Sequence, residues 1–158
     1  MKKIIAISLL TAVIGVFGYM AIAENSMPGP FETVYAQNSR DKEIQLLARC
    51  VNGEARGEPY IGQVAVAAVI LNRVRHPSFP DTLTGVIYQP GAFTAVNDGQ
   101  INVPIDTSSK VYRACEDALN GWDPTGGAIY YYNPKKTTNR WIYSRPTVTI
   151  IKNHVFAK

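Results

Sequence analysis

The segment from 61 to 74, IGQVAVAAVILNRV, constrains the fold most because it is apolar on almost every side. A helix without a polar face must be surrounded by the rest of its domain. Pro77 follows the segment, and Asn72 and Arg73 are most simply explained as its polar end. With 158 residues, of which 46% are hydrophobic, the chain is long enough for one compact domain with a real core. The sequence therefore predicts one domain built around a central helix.

A second predicted helix, ending near Glu54, places a carboxyl group on its own apolar face. At about 100° per residue, apolar side chains form one stripe of this helix: Ile44, Leu47, Cys50 and Val51. Glu54 falls on that stripe near the helix C-terminus, so we expect burial and the helix dipole both to raise its pKa. A carboxyl group of this kind suits a general acid. The structural alternative is an ion pair of Glu54 with Arg49 or Arg56.

Turn and cap signals indicate the bounds of the remaining elements. Asn97-Asp98-Gly99 lies between two short apolar runs and predicts a β-hairpin. The helix that carries Glu54 is predicted to start at Ser39 or Asp41 and to stop at Gly57. A helical turn is predicted over 80–88, and an amphipathic helix is predicted to be capped by Asp106 or Thr107 and ended by Gly121. Strands are predicted over 147–151 and 154–156. Together these elements indicate an α+β domain, mainly helical with a small β region.

The first 38 residues differ in composition from the rest of the chain. Two lysines, an uncharged apolar run and the small-residue pattern Ala21-Ile22-Ala23 predict a secretory signal over residues 1–23. Without cleavage, the same run is just long enough to span a bilayer. Residues 24–38, rich in Pro, Gly and small polar residues, are predicted to be a linker. We therefore expect the folded domain at 39–158, outside the cytoplasm.

The net charge and the positions of the histidines and cysteines exclude several classes of function. Removing the two lysines of the signal lowers the formal net charge from +4 to +2, and no basic stripe with interleaved aromatics occurs, so nucleic acid is not an expected partner. His76 and His154 lack the spacing of a zinc site, and no cofactor is implied. Cys50 lies mid-helix, where nothing activates a thiolate. Cys50 and Cys115 fit a disulfide and a pair of buried thiols equally well.

Aromatic residues become dense after residue 129 and alternate with polar side chains. The aromatic residues are Tyr130, Tyr131, Tyr132, Trp141 and Tyr143, and the polar ones are Asn133, Asn139, Ser144 and Arg145. Proteins hold sugar rings with aromatic faces and nearby hydrogen-bonding groups. A groove wall and an ordinary core are equally good interpretations of this region.

Several blocks of the sequence resemble the catalytic domain of the spore cortex-lytic enzymes, the SleB/CwlJ-type cell wall hydrolases. The blocks are 52–58, 62–74, 86–93, 118–124, and 141–146 through to 154–156. The resemblance runs from about Ser39 to the C-terminus. Relatives often carry a Cys near the C-terminus where this chain has Ala157, so no disulfide is carried over from them.

The resemblance implies a lysozyme-like, lytic-transglycosylase-like α+β domain with a small antiparallel sheet. It implies cleavage of peptidoglycan between N-acetylmuramic acid and N-acetylglucosamine, with Glu54 at the position of the catalytic glutamate. The implied product is a 1,6-anhydro sugar, and the implied substrate is spore cortex carrying muramic-δ-lactam. It also implies a monomer that acts on glycan strands in the cell envelope, at the spore cortex or the inner spore membrane. An accessory regulatory protein is left open.

A lytic transglycosylase can work with one carboxylate because the 6-hydroxyl of the sugar is the nucleophile. Glu54 would then serve as both acid and base. The predicted substrate-binding residues are Phe93, Thr94, Trp122, Tyr130, Tyr132 and Arg145. The first alternative is a hydrolytic muramidase with Glu58 or Asp98 as second carboxylate, although Glu58 is expected to orient Arg56 and Asp98 is explained by its turn. The second alternative is a non-catalytic peptidoglycan-binding module.

Overall fold

A computed structural model describes residues 29–158, so the predicted signal sequence and the start of the predicted linker lie outside it. The helices are α1 (Pro30–Ala55), α2 (Tyr60–Arg75), α3 (Leu83–Ile87), α4 (Thr94–Asn97) and α5 (Lys110–Leu119), with 3-10 helices η1 (Gln100–Asn102) and η2 (Arg140–Ser144). The strands are β1 (Tyr130–Tyr132), β2 (Thr147–Ile151) and β3 (His154–Ala157). Residues 39–158 form one compact unit. None of the helices within 29–158 is long and apolar enough to cross a bilayer.

Helix α2 is the central helix that the sequence predicts. Every residue from 62 to 71 is buried. Helices α3 and α5 and strand β1 all pack against α2. The absence of a polar face on this segment is thus explained by neighbours on all its sides.

Helix α1 confirms the predicted apolar stripe but not the predicted start. The four stripe residues are at most 3% exposed, and the helix ends at Ala55, just before Gly57. However, it begins at Pro30, upstream of Ser39 and Asp41. Proline is well suited to a first helical position, and no Gly or Pro occurs between 31 and 52 to interrupt the helix. Residues 31–38 of the predicted linker are therefore helical, and they are exposed.

The predicted hairpin around Asn97-Asp98-Gly99 is wrong. Helix α4 ends at Asn97, and η1 begins at Gln100. A two-residue type I′ turn needs positive φ at both central residues, but φ is −95° at Asp98 and +80° at Gly99. Gly99 therefore links two helical turns. Ala95 and Ile101 in these turns are buried in the core, which local turn propensity does not reveal.

The small sheet lies at the C-terminal end of the chain. Its order is β1-β3-β2, both pairings are antiparallel, and β2 carries an irregularity between Thr147 and Thr149. Strands β2 and β3 confirm the sequence prediction. Strand β1 was predicted only as an aromatic, loop-rich region, and it pairs with the fully buried strand β3.

The cap of α5 differs from the sequence prediction, and both cysteines are free thiols. The side chain of Ser109 caps α5, whereas Asp106 binds the backbone and hydroxyl of Ser108 in the preceding turn. The predicted cap residues of α5 are thus wrong by a few positions. Cys50 and Cys115 are buried free thiols, which is the second of the two states that the sequence allowed.

Candidate active site

Glu54 lies in an open cleft of about 900 Å³ between the end of α1 and the C-terminal sheet. The cleft is lined by residues 53–58, by Thr94, by Tyr131, Tyr132, Asn133, Lys135, Lys136 and Thr137, and by Asn153 and His154. Four separate parts of the chain therefore meet around one partly exposed carboxyl group.

Each carboxyl oxygen of Glu54 accepts one hydrogen bond. The backbone N–H of Ala95 donates to Oε1 over 3.1 Å, and the phenol of Tyr131 donates to Oε2 over 3.1 Å. A carboxylate offers about four lone-pair sites, so further positions stay open toward the cleft. The predicted structural alternative is wrong, because neither Arg49 nor Arg56 forms a salt bridge with Glu54; the guanidinium of Arg56 donates to the Gln100 side chain instead.

Gly53 allows the backbone of α4 to approach Glu54 this closely. A Cβ atom at position 53 would lie 2.5 Å from the Cβ and 3.3 Å from the Cα of Ala95. Non-bonded carbon atoms do not approach each other to 2.5 Å, so only glycine fits here. The hydrogen bond from Ala95 to Glu54 therefore depends on the glycine that precedes Glu54 in the sequence.

Tyr131 is held in place by rings from the neighbouring strand. Its ring lies edge-on to His154, with centroids 5.3 Å apart at 89°, and tilted against Phe156 at 6.2 Å. Burial, followed by the negative charge of Glu54, raises the pKa of Tyr131 well above 10. The phenol therefore stays protonated and remains a hydrogen-bond donor to Glu54 at neutral pH.

Arg73 anchors the segment that leads into β1. Its Nε donates to the carbonyl oxygen of Ile129 over 2.8 Å, and its guanidinium lies 5.2 and 5.4 Å from the ring centroids of Phe79 and Phe93. Burial lowers the pKa of Arg73. The polar end expected of α2 is therefore a buried cation that fixes the start of the strand carrying Tyr131.

The two other candidate carboxylates are engaged elsewhere. Glu58 accepts a hydrogen bond from Nδ2 of Asn153 over 2.8 Å and lies 3.8 Å from Nδ1 of His154. The predicted contact of Glu58 with Arg56 is absent. Glu58 instead connects the turn after α1 to the β2–β3 turn. Asp98 is exposed and accepts two bonds from Gln100. Across residues 29–158, no group of three His, Cys, Asp or Glu side chains could hold a metal ion.

His154 connects the Glu58 contact to Tyr131. Its side chain is 11% exposed, and Nδ1 has no hydrogen-bond partner. Burial lowers the pKa of His154, although the carboxylates of Glu58 and Glu54 oppose that effect. A neutral imidazole, perpendicular to the Tyr131 ring, is the expected state at neutral pH.

The cleft brings together only some of the predicted binding residues. Thr94 and Tyr132 line it with Glu54. Phe93 is 2% exposed and packs against Arg73, so its side chain supports the site from within the core instead of facing a ligand.

The other three predicted residues lie outside the cleft lining. The exposed Trp122 packs against Tyr60, whereas Tyr130 contacts Phe79 and Trp141. The guanidinium of Arg145 lies 4.4 Å from the Trp141 ring centroid.

Sequence reasoning missed Tyr131, Asn153 and His154. Tyr131 lies between two predicted residues, and side chains alternate along a strand, but alternation alone does not single it out, because Tyr132 lines the same cleft. Asn153 and His154 follow a predicted strand, but a turn residue and a lone histidine gave no signal of their own. Only the tertiary structure shows that this polar turn packs against the end of the helix that carries Glu54.

Comparison with known proteins shows the family of this chain. Residues 57–157 match the family model described as Cell Wall Hydrolase. Spore cortex-lytic enzymes from Bacillus cereus and Bacillus subtilis are 56% and 49% identical to this chain over 124 and 138 residues, which are 78% and 87% of it. The chain spans less than half of the length of these two relatives, 46% and 42%. The cell wall hydrolase CwlJ of Bacillus subtilis is 31% identical over 119 residues, covering 72% of this chain and 83% of CwlJ.

Two solved structures have the same fold. The catalytic domain of the Bacillus cereus SleB protein gives a TM-score of 0.71 at 56% identity, covering 75% of this chain and 91% of that domain. The catalytic domain of the germination-specific lytic transglycosylase SleB from Bacillus anthracis gives 0.70 at 56% identity, covering 73% and 93%. The predicted lysozyme-like α+β fold is thereby confirmed.

Proposed function

Because the chain belongs to the Cell Wall Hydrolase family, we propose that its folded domain cuts the glycan strands of peptidoglycan between N-acetylmuramic acid and N-acetylglucosamine. The proposed enzyme is a lytic transglycosylase outside the cytoplasm, acting during germination on spore cortex that contains muramic-δ-lactam. The names of its relatives, spore cortex-lytic enzyme and germination-specific lytic transglycosylase, support this choice. The observation that carries it is the Glu54 carboxyl group, fixed by two donors in an open cleft.

In the proposed reaction, Glu54 first protonates the glycosidic oxygen as the bond to C1 of the muramic residue breaks. The resulting carboxylate then accepts the proton of the 6-hydroxyl of the same residue, whose oxygen attacks C1 and closes the 1,6-anhydro ring. Tyr131 and the Ala95 N–H keep the carboxyl plane fixed through both steps. This orientation is expected to lower the barrier, because the acid does not have to be repositioned between proton transfers.

The engagement of the other carboxylates favours a mechanism with a single carboxylate. Hydrolytic glycosidases pair an acid with a second carboxylate that activates water or attacks the sugar. Glu58 is held by Asn153, and its side chain is only 7% exposed, whereas Asp98 is bound to Gln100 and does not line the cleft. Neither is well placed to activate a water molecule beside Glu54. Thr94 and Tyr132 are the proposed sugar contacts in the cleft.

The test is mass spectrometry of the fragments that the domain releases from purified cortex and from vegetative sacculi. We expect the native domain to release products ending in 1,6-anhydro-muramic acid, and Glu54→Gln to release essentially none, since the amide cannot donate the proton. Glu43→Gln is the matched control, because Glu43 is an exposed residue of the same helix outside the cleft. It should retain native activity.

Each alternative outcome has a clear meaning. Products with reducing ends would contradict the transglycosylase proposal and indicate a hydrolase that uses water. If native protein and Glu54→Gln bind sacculi equally and neither releases fragments, a non-catalytic binding module is the better description.

A further inference from the structure

Three cations line the same cleft as Glu54 and Glu58. They are Arg56, at the end of α1, and Lys135 and Lys136, in the turn after β1. All three are exposed. Within residues 29–158, none of them forms a salt bridge; Arg56 is bound only to the neutral Gln100 side chain. These three lining residues, together called the cationic rim, therefore carry positive charge that no salt bridge within residues 29–158 neutralises.

The rim is presented by an ordered turn. The side-chain oxygen of Asn133 accepts a bond from the backbone N–H of Lys135, and its carbonyl oxygen accepts bonds from Lys136 and Thr137. These bonds fix the backbone of the turn directly after β1. The lysine side chains project from a defined position beside the catalytic groups, and their ammonium groups stay solvated.

The charge of Lys136 acts on another residue of the cleft lining. Lys136 is one of the groups that lower the pKa of His154, so its ammonium group acts on the imidazole beside Glu58. Charges of one sign concentrated at a cleft attract ligands of the opposite sign and raise their local concentration. The carboxyl groups of Glu54 and Glu58 line the same cleft, and a neutral sugar ring is expected beside Glu54. The cleft thus contains a carboxyl group suited to a neutral sugar and exposed cations suited to an anion.

We propose that the cationic rim binds carboxylate groups carried by the glycan strand, namely those of the peptide stems on its muramic residues. The inference rests on the proposed function, because it adds a second recognition element to the same cleft. Muramic-δ-lactam has no free carboxylate, since its carboxyl group is consumed by the lactam. The rim is therefore expected to bind the carboxylates of a peptide stem on a neighbouring muramic residue of the strand.

The test separates binding from catalysis and carboxylate from phosphate. Sacculi are first stripped of phosphodiester-linked polymers with hydrofluoric acid, and half are then converted to methylamides with a carbodiimide. Binding of Glu54→Gln protein to both substrates, and to sacculi that were not stripped, is measured by co-sedimentation, with and without the further changes Lys135→Ala and Lys136→Ala. The control carries Lys42→Ala and Lys110→Ala, two exposed lysines outside the cleft.

We expect the rim variant to bind acid-stripped sacculi roughly 2- to 10-fold more weakly than the control, as for the loss of two exposed ion pairs. We also expect it to bind the amidated sacculi equally well, and the difference to shrink as salt is raised. Equal binding of rim variant and control to stripped sacculi would overturn the proposal. So would a difference seen only on unstripped sacculi, because the ligand would then be phosphate.

Fragment release by the proteins with Glu54 intact distinguishes this inference from the proposed function. If the native domain releases anhydro products but does not distinguish stripped from amidated sacculi, the inference about the rim fails and the proposed function stands. If it releases nothing while the binding difference is present, the proposed function fails and the carboxylate site stands.

Discussion

At the scale of single residues, the site depends on how one carboxyl group is held. Glu54 receives a backbone donor from one segment and a phenol from another, and the phenol is fixed by rings of β3. Tyr131 is accordingly a positioning residue: we expect it to act through Glu54 and not on the substrate itself.

Tyr131→Phe removes the phenol donor and keeps the ring. Hydrogen bonds to charged groups contribute about 1.5–3 kcal/mol, so we expect kcat to fall roughly 10- to 100-fold with little change in KM. Steady-state release of fragments from sacculi measures both values. Tyr60→Phe is the control, since it also removes a phenol–carboxylate bond, to Asp117, but outside the cleft lining. A similar loss of kcat in both variants would refute the positioning role.

His154 should make stability depend on pH. Its pKa is lowered in the folded protein by burial, so the unfolded chain binds the proton more readily. The contribution of His154 to folding stability is therefore fully present above about pH 6.5, the unperturbed pKa of histidine. It is lost as pH falls through the lower pKa of the folded protein. We expect Tm to fall more steeply between pH 7 and pH 5 in the native domain than in His154→Gln. Parallel curves would show that His154 is not the group responsible.

At the scale of elements, the site is made by the close approach of α4 to the last turn of α1. The segment around α4 looks like a hairpin in sequence, yet its helical form is what points the N–H of Ala95 at Glu54. On the other side, Glu58 and Asn153 join the turn after α1 to the β2–β3 turn. The C-terminal end of α1 is thus clamped between two elements that are remote in sequence.

Gly53→Ala tests the close approach of α4 to the end of α1. The added methyl group would meet Ala95 at 2.5 Å, so α4 must move away and its bond to Glu54 must lengthen. Overpacking of this kind costs about 1–3 kcal/mol, and we expect the free energy of unfolding to fall by that amount together with activity. Denaturant melts and fragment release measure the two effects.

Gly57→Ala is the matched control for this prediction. A Cβ at position 57 has no atom within 4 Å. Its activity and stability should stay close to those of the native domain, and an equal loss in both variants would indicate a general effect of glycine replacement.

At the scale of the whole molecule, residues 39–158 share one core that joins α1, α2, α5 and β3. Cys50 and Cys115 are fully buried in this core, and burial raises the pKa of both thiols. Since a thiol reacts as its thiolate, these cysteines are inert in the folded state.

Thiol labelling therefore reports on global unfolding. With an aromatic disulfide reagent, we expect no reaction under native conditions on the timescale of exposed thiols, and reaction of both cysteines at the rate of unfolding when denaturant is added. Labelling of one cysteine well before the other would reveal local opening of α1 or α5. Failure of the unfolded, unreduced protein to react would contradict the free thiols of this structure.

The sequence by itself determined the elements whose pattern is local. The apolar run of α2, the stripe of α1 with Glu54 on it, and strands β2 and β3 were all predictable, because periodicity depends only on which side of an element each residue faces. The blocks shared with the spore cortex-lytic enzymes also predicted the family and its fold.

Only the tertiary structure decided which side chains surround Glu54. Ala95 and Tyr131 lie 41 and 77 positions away from it in the chain. No local pattern encodes such contacts, since they arise when separate elements pack on a common core. Burial similarly placed Phe93 beneath the site and made the segment around Asp98 helical where its turn residues favoured a hairpin. The physical reason is that local propensities are worth less than the core contacts that override them.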